Sequence, residues 1–330
     1  MSKFVQENAR KTHKMAFSNY GPQVWFDGKF VRWEDATIHI SAHALHYGTS
    51  VFEGMRMYET AQGSALFRLD PHVCRLLNSA KMIRMEVPYS FEELRQAMID
   101  TVEANGQPSC YVRPIIFRGS EAFGVDGRKC PVHVAVMSLA WGRYLGAEAI
   151  EQGVDVHVSS WRRMAPGTSM AMGKIGGQYV NSQFAAMEAH DGGFNEAIVL
   201  DVSGNVSEGS GENIFVMLDG VVYTPPTASS ILSGITRDCA LTILRDLGYE
   251  IREQAFTRDL LYIADEIFFT GTAAEVTPIR SVDRMKVGKG SRGPITKAVQ
   301  DVFFGITSGK LEDKWGWLTP VKVRQPVAGD

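Results

Sequence analysis

The sequence predicts a mixed α+β protein of two domains. Its 330 residues exceed one small core and suit two domains of about 100–200 residues each. Alternating strand-like runs sit beside apolar helical spacing in both halves of the chain. A hydrophobic fraction of 45% with 22% charged residues is that of a globular chain and argues against disorder.

The elements follow in order. Residues 24–33, VWFDGKFVRW, are two apolar runs around Asp27-Gly28, a pair that supplies the positive φ angles of a tight hairpin. ATIHI (36–40) and GMRMYE (54–59) are strand-like. After Asp70-Pro71, residues Val73, Leu76, Leu77, Ala80 and Ile83 recur at helical spacing. Ser90 and Glu93 form a capping box that opens a second helix, and Gly106 closes it. CYVRPIIFRG (110–119) and PVHVAVMSLAW (131–141) are expected strands of the same sheet. Residues 144–153 are the expected linker. They follow an N-terminal extension (1–21) and a small α+β domain (22–143), and they precede a larger domain (154–330).

In the larger domain VDVHVSSW (154–161) alternates as a strand, and residues 195–226 hold several more, with turns at Ser203-Gly204-Asn205 and Asp219-Gly220. GITRDCALTILRDLG (234–248) is an amphipathic helix stopped by its last glycine. EIFFTGTAAEVTP (266–278) is a buried strand entering a small-residue turn, and ITKAVQDVFFGI (295–306) is a late helix.

Composition narrows the function. A net charge of −3 without a basic face argues against nucleic acid as a partner. Cys74, Cys110, Cys130 and Cys239 form no C-x-x-C pair, so neither a disulfide framework nor a zinc site is expected. His43 and His46 lack a nearby carboxylate pair and are expected to orient a loop, with no metal. No run approaches the roughly 20 apolar residues of a membrane span, and the N-terminus lacks a signal-like apolar core. A cytoplasmic protein acting on small molecules is expected.

One lysine stands out. From Met164 to Met187 Lys174 is the only ionisable group besides the Tyr179 phenol. An amine in apolar surroundings becomes a carbonyl nucleophile when its pKa falls. A pyridoxal phosphate site would then need an acid at the ring nitrogen, a phosphate cradle and a donor to the phenolate oxygen. NVSEGSGEN (205–213) offers Glu208 and Glu212, with Ser207 and Gly209 expected to let a flat ring approach. SGITRD places Gly234, Ile235 and Thr236 at a helix start suited to a phosphate. Arg75 is a candidate cation and Thr272 a candidate turn donor. Gly176 and Gly177 are expected to leave room beside the lysine. The pattern matches neither G-x-G-x-x-G nor G-x-S-x-G, which disfavours a nicotinamide enzyme and a serine hydrolase.

HALHYGTSVFEGMRMY, CYVRPIIF, WGRYLGAEA, GKIGGQYVNS, VSEGSGEN, GITRD and TGTAAEVTPIRSVD resemble, in order, the branched-chain amino acid aminotransferases among fold type IV pyridoxal phosphate enzymes. The similarity runs from about residue 22 to residue 320. It implies the two-domain D-amino acid aminotransferase-like fold, in which the larger domain carries a pseudo-barrel sheet. It also implies transfer of the amino group of L-leucine, L-isoleucine or L-valine to 2-oxoglutarate, giving L-glutamate, by a ping-pong PLP/PMP mechanism. Lys174 matches the Schiff-base and proton-transfer lysine, Glu208 the acid on the pyridine nitrogen, and Tyr179 the phenol on the phenolate oxygen. Arg75, Ile235, Thr236 and Thr272 match the phosphate cradle.

On the substrate side Tyr111 and the backbone of Thr272 and Ala273 match the α-carboxylate site. Phe52, Gly54, Trp141, Tyr144 and Tyr179 match the side-chain pocket. Arg113 matches the group that accepts the distal carboxylate of glutamate, and it is expected to sit at the rim, held by other polar groups when leucine is bound. Tyr47 and Val125 match residues supplied by a neighbouring subunit, so the resemblance implies a homodimer, with a higher homo-oligomer open. The sequence departs from the family at residues 117–130, with Phe123 and Glu121. D-amino acid and (R)-amine transaminases of the same fold, and a non-catalytic binding protein on the same frame, are the alternatives.

Overall fold

The computed structural model describes residues 19–142, 145–146 and 148–323. Seventeen strands among the described residues make two sheets. The first holds β1 (Gln23–Phe26), β2 (Lys29–Arg32), β3 (Ser50–Phe52), β4 (Met55–Thr60), β5 (Gly63–Phe67), β6 (Cys110–Arg118) and β7 (Val132–Leu139). Its order is β5-β4-β6-β7-β1-β2, with β3 paired to β6. The second holds β8 (Val154–Arg162), β9 (Glu196–Leu200), β10 (Val206–Gly209), β11 (Asn213–Leu218), β12 (Val221–Thr224), β13 (Glu250–Glu253), β14 (Glu266–Gly271), β15 (Glu275–Val282) and β16 (Met285–Lys286). Its order is β10-β9-β8-β15-β14-β11-β12-β13, with β16 on β15. A last strand, β17 (Leu318–Pro320), returns to the first sheet and pairs antiparallel with β5.

The β1–β2 hairpin turns at Asp27 and Gly28, both at positive φ (45° and 86°). Residues 36–40, expected as a strand, are irregular and mostly exposed. They meet no strand edge, and β-propensity acts only through neighbours. Helices α1 (Leu69–Met82) and α2 (Phe91–Asn105) cover the first sheet. Leu76 and Val73 of α1 and Met98 of α2 pack against Met55, Val112 and Val136. The capping box forms as expected: the Glu93 N–H donates to Ser90 Oγ at 3.2 Å and the Ser90 N–H to Glu93 Oε2 at 2.7 Å.

The second sheet is apolar on both faces, and the period of two sorts its residues. On β11 and β14, Ile214, Val216, Ile267 and Phe269 face an inner core shared with β8 and β9. Phe215, Met217 and Phe268 face helices α4 (Ile235–Asp246) and α5 (Pro294–Thr307). Helix α3 (Tyr179–Asp191) lies against β8 and β9. Phe67 and Trp317 join the second core, so apolar packing links the two sheets. Among the described residues no helix is long and apolar enough to cross a membrane, and no cluster of metal-ligating side chains occurs. The four cysteines are unpaired.

The segment after β8 crosses the first sheet. The Phe52 N–H donates to the Lys174 carbonyl at 3.1 Å, and Val51 bridges Ile175. Gly176 and Gly177 serve this crossing rather than space beside the lysine. A Cβ on Gly176 would lie 2.3 Å from Ser50 Oγ, and the Gly177 N–H donates to the Gly48 carbonyl at 3.1 Å.

Candidate active site

Between the sheets lies a cavity of about 270 Å³ lined by Lys174, Tyr179, Glu208, Arg75, Tyr111 and Arg113, among others. That volume is near the lower end of the roughly 300–1,000 Å³ usual for ligand pockets. Lys174 Nζ donates to Tyr179 Oη at 2.7 Å, over the rings of Phe52 (4.9 Å) and Tyr179 (5.1 Å). The Lys174 backbone N–H donates to Ser79 Oγ at 2.9 Å. The amine is thus aimed by a phenol and two aromatic faces, without the strong tie that a carboxylate would impose.

The two acids of NVSEGSGEN separate here. Glu208 Oε1 pairs with Arg163 Nη2 at 2.7 Å, and Oε2 accepts from the Leu232 N–H (3.0 Å) and Asn213 Nδ2 (3.2 Å). Burial leaves its carboxyl raised above the usual carboxylate value, against the opposing pull of the Arg163 guanidinium. For Glu212, burial and then the neighbouring Glu196 push the carboxyl well above the usual carboxylate range. Of the two acids, Glu208 is the one held against a guanidinium. Gly209 does not serve ring approach; a Cβ there would lie 2.7 Å from Glu212 Oε2. Ser207 Oγ donates away, to the Ser229 carbonyl at 2.6 Å.

At the other end Ile235 and Thr236 open α4, whose N-cap Gly234 makes no side-chain cap. The first N–H groups of that helix are therefore available to an anion. A Cβ on Gly234 would lie 1.9 Å from Asn213 Oδ1, so the close backbone approach requires glycine. Thr270 Oγ1, buried in the cavity wall, has no partner among the described residues. Arg75 reaches the same wall. A phosphorylated pyridine aldehyde fits this donor set: an amine, a buried acid, a guanidinium, uncapped N–H groups and an orphan hydroxyl.

Tyr111 packs against Gly54, where a Cβ would lie 1.7 Å from its Oη, and edge-on to Trp141 with ring centroids 4.8 Å apart. Arg113 Nη2 donates to Tyr111 Oη at 3.0 Å, with its guanidinium over Phe52. Aromatic faces, more than the polar groups expected from the sequence, hold this charge. Thr272 and Ala273 line the cavity. Tyr144 lies outside the described residues. Tyr47 (44% exposed) and Val125 (85%) do not reach the cavity of this chain. His43 is buried, bonded to Thr49 Oγ1 and the Gly124 carbonyl.

Sequence reasoning missed Arg56, Arg163, Glu53 and Thr270. Arg56 donates from Nε to the Thr272 carbonyl (2.8 Å) and from Nη2 to those of Ala273 (3.0 Å) and Gly142 (3.0 Å). Those bonds fix the backbone of the turn that lines the cavity. Its only sequence signal was an arginine between the two methionines of β4.

The pattern of the amino-transferase class IV family matches residues 50–282, and the chain belongs to that family. The branched-chain-amino-acid aminotransferase of Salmonella typhimurium is 50% identical over 299 residues, covering 90% of this chain and 97% of that protein. The crystal structure of the Escherichia coli branched-chain amino acid aminotransferase superposes with a TM-score of 0.90 at 50% identity, over 92% of this chain and all of that one. The Thermobaculum terrenum branched-chain amino acid aminotransferase in its PLP form gives 0.86 at 34%, over 92% and 99%. Within its class the chain is accordingly a branched-chain-amino-acid aminotransferase, a pyridoxal phosphate-dependent transferase of fold type IV.

Proposed function

We propose that the cavity moves the amino group of L-leucine, L-isoleucine or L-valine to 2-oxoglutarate, with Lys174 as the group that takes and returns the proton at the substrate Cα. The observation that carries this reading is the Lys174–Tyr179 contact in the same cavity wall as Glu208. When bound, pyridoxal phosphate supplies an electron sink and a carrier for the amino group. Lys174 would hold it through Nζ, with Tyr179 at its phenolate oxygen and Glu208 at its ring nitrogen. Arg75, Ile235, Thr236 and Thr272 would take its phosphate.

For the substrate, Tyr111 Oη and the N–H groups of Thr272 and Ala273 receive the α-carboxylate. Phe52, Gly54, Trp141 and Tyr179 shape the side-chain pocket and exclude water. Arg113 receives the distal carboxylate of glutamate. The fork of its guanidinium suits a carboxylate.

The same reading includes a homodimer. Leu45, Tyr47, Phe123 and Val125 form exposed apolar surface (60%, 44%, 77% and 85%), and such patches mark interfaces. Tyr47 and Val125 would then complete the partner's cavity. The division of the chain at residues 144–153 is supported by the two sheets, with β17 as the strand that returns. The four unpaired thiols fit a reducing cytoplasm.

Chromatography of the products tests the reading. Holoenzyme with 2-oxoglutarate forms L-glutamate from L-leucine, L-isoleucine and L-valine, and none from D-alanine or 1-phenylethylamine. Glutamate formed only from D-alanine or from the amine contradicts it.

A further inference from the structure

Glu53 is a fully buried carboxylate that the reaction itself does not use. It follows β3, between Phe52 and Gly54, and it faces two groups of α1. Arg75 donates from Nε to Oε1 at 2.5 Å and from Nη2 to Oε2 at 2.8 Å. His72 Nδ1 lies 2.7 Å from Oε2, and the Gly54 N–H donates to the same oxygen at 3.2 Å. Burial alone would raise the carboxyl, yet Arg75 and His72 hold it well below the usual carboxylate range. An ionised carboxylate only accepts, so His72 carries its proton on Nδ1.

Arg75 is pinned from a second side. Its Nη1 donates to the Ser233 carbonyl at 2.9 Å, one residue before Gly234 at the start of α4. A guanidinium has five N–H hydrogens. Three are engaged by Glu53 and Ser233, and the remaining two, one on each terminal nitrogen, belong to a residue that lines the cavity.

Resting on the reading of this cavity as a pyridoxal phosphate site, we infer that Glu53, backed by His72, is a positioning residue for the phosphate, because it fixes Arg75 at the foot of α4 before the phosphate arrives. Arg75 then gives up little rotamer freedom on binding. The carboxylate also fixes which two N–H groups face the ligand. The same segment carries Phe52 and Gly54, so one stretch of three residues sets both the side-chain pocket and the phosphate cradle.

The test titrates apoenzyme with pyridoxal phosphate, pyridoxal and inorganic phosphate, followed by tryptophan fluorescence. Parent apoenzyme that binds pyridoxal phosphate no better than pyridoxal refutes the site reading itself, and the inference with it. Given tight parent binding, Glu53→Gln weakens pyridoxal phosphate and inorganic phosphate by roughly 10- to 100-fold, as for a lost hydrogen-bonded charge. Pyridoxal binding stays at the parent level. His72→Leu follows Glu53→Gln, whereas His72→Asn, which keeps an N–H near the Nδ1 position, stays close to the parent. Where Glu53→Gln does not fold, the two His72 variants decide. Parent-like phosphate affinity in folded Glu53→Gln or His72→Leu overturns the inference, as does an equal loss for pyridoxal and pyridoxal phosphate.

Discussion

The Arg113 guanidinium lies over the ring of Phe52, 4.7 Å from its centroid, and is tied by Nη2 to Tyr111 Oη at 3.0 Å. One pocket can therefore hold leucine without leaving a bare charge against it, since a weakly hydrated guanidinium stacks well on aromatic faces. Its Nε is buried without a partner among the described residues, and under the proposed reading the distal carboxylate of glutamate would supply one.

Arg113→Met separates the two substrates. Losing one partner of a buried charge pair costs about 3 kcal/mol, so kcat/KM for L-glutamate falls about 100-fold. Leucine, which makes no ion pair, changes by less than about 5-fold on the scale of a volume-conserving swap. Equal losses for both, measured by steady-state kinetics, contradict the assignment.

Glu208 and Glu212 answer differently to the same change. Glu208→Gln removes the charge paired with Arg163 and lowers kcat by about 100-fold or more, the scale of one electrostatic group in an active site. Cofactor absorption persists. The carboxyl of Glu212 is pushed up by burial and Glu196, so Glu212→Gln removes less charge from the site and leaves kcat near the parent value. A large loss in Glu212→Gln with none in Glu208→Gln reverses the two roles.

Gly54→Ala puts a Cβ 1.7 Å from Tyr111 Oη, and something must move. Overpacking of this kind costs about 1–3 kcal/mol of stability. Because Tyr111 is displaced, KM for amino acids rises as well as the melting temperature falling. Thermal melts and kinetics on the same preparation check this, and unchanged KM speaks against Tyr111 as a carboxylate donor.

The histidine behind Glu53 predicts a pH effect on the apoenzyme. Burial lowers the pKa of His72 below its ordinary 6.5, against the opposing pull of Glu53 and with Arg75 and Lys174 also lowering it. Below pH 6.5 the unfolded chain binds a proton that the folded one refuses, so stability falls as pH drops below that value. The decline continues down to the lower, folded pKa. In His72→Asn that part of the slope is absent. Melting curves of both proteins between about pH 7.5 and 5 decide it, and identical slopes refute it.

Much of this was legible in the sequence because it is local. The Asp27-Gly28 hairpin, the Ser90–Glu93 box and the uncapped helix start at Gly234 are each written in a few adjacent residues. Lys174 stood out by the lack of charge around it in the chain. The rest depends on residues far apart in sequence. Glu53 meets Arg75 and Arg75 meets Ser233, 22 and 158 positions away, and nothing local marks either contact. Arg56 reaches Thr272 across 216 positions. The glycines were found for the wrong reason: Gly176 and Gly209 answer to Ser50 and Glu212, partners that only the folded chain reveals. Residues 36–40 have strand composition but no edge to join.

The most direct test of the account is a half-reaction on the holoenzyme, without an oxo acid, followed through the visible absorption of the bound cofactor. L-leucine bleaches the band, while D-alanine and 1-phenylethylamine leave it, and Lys174→Ala fails to bleach with any of them. Bleaching by D-alanine or by the amine alone, or bleaching by L-leucine in Lys174→Ala at the parent rate, contradicts it.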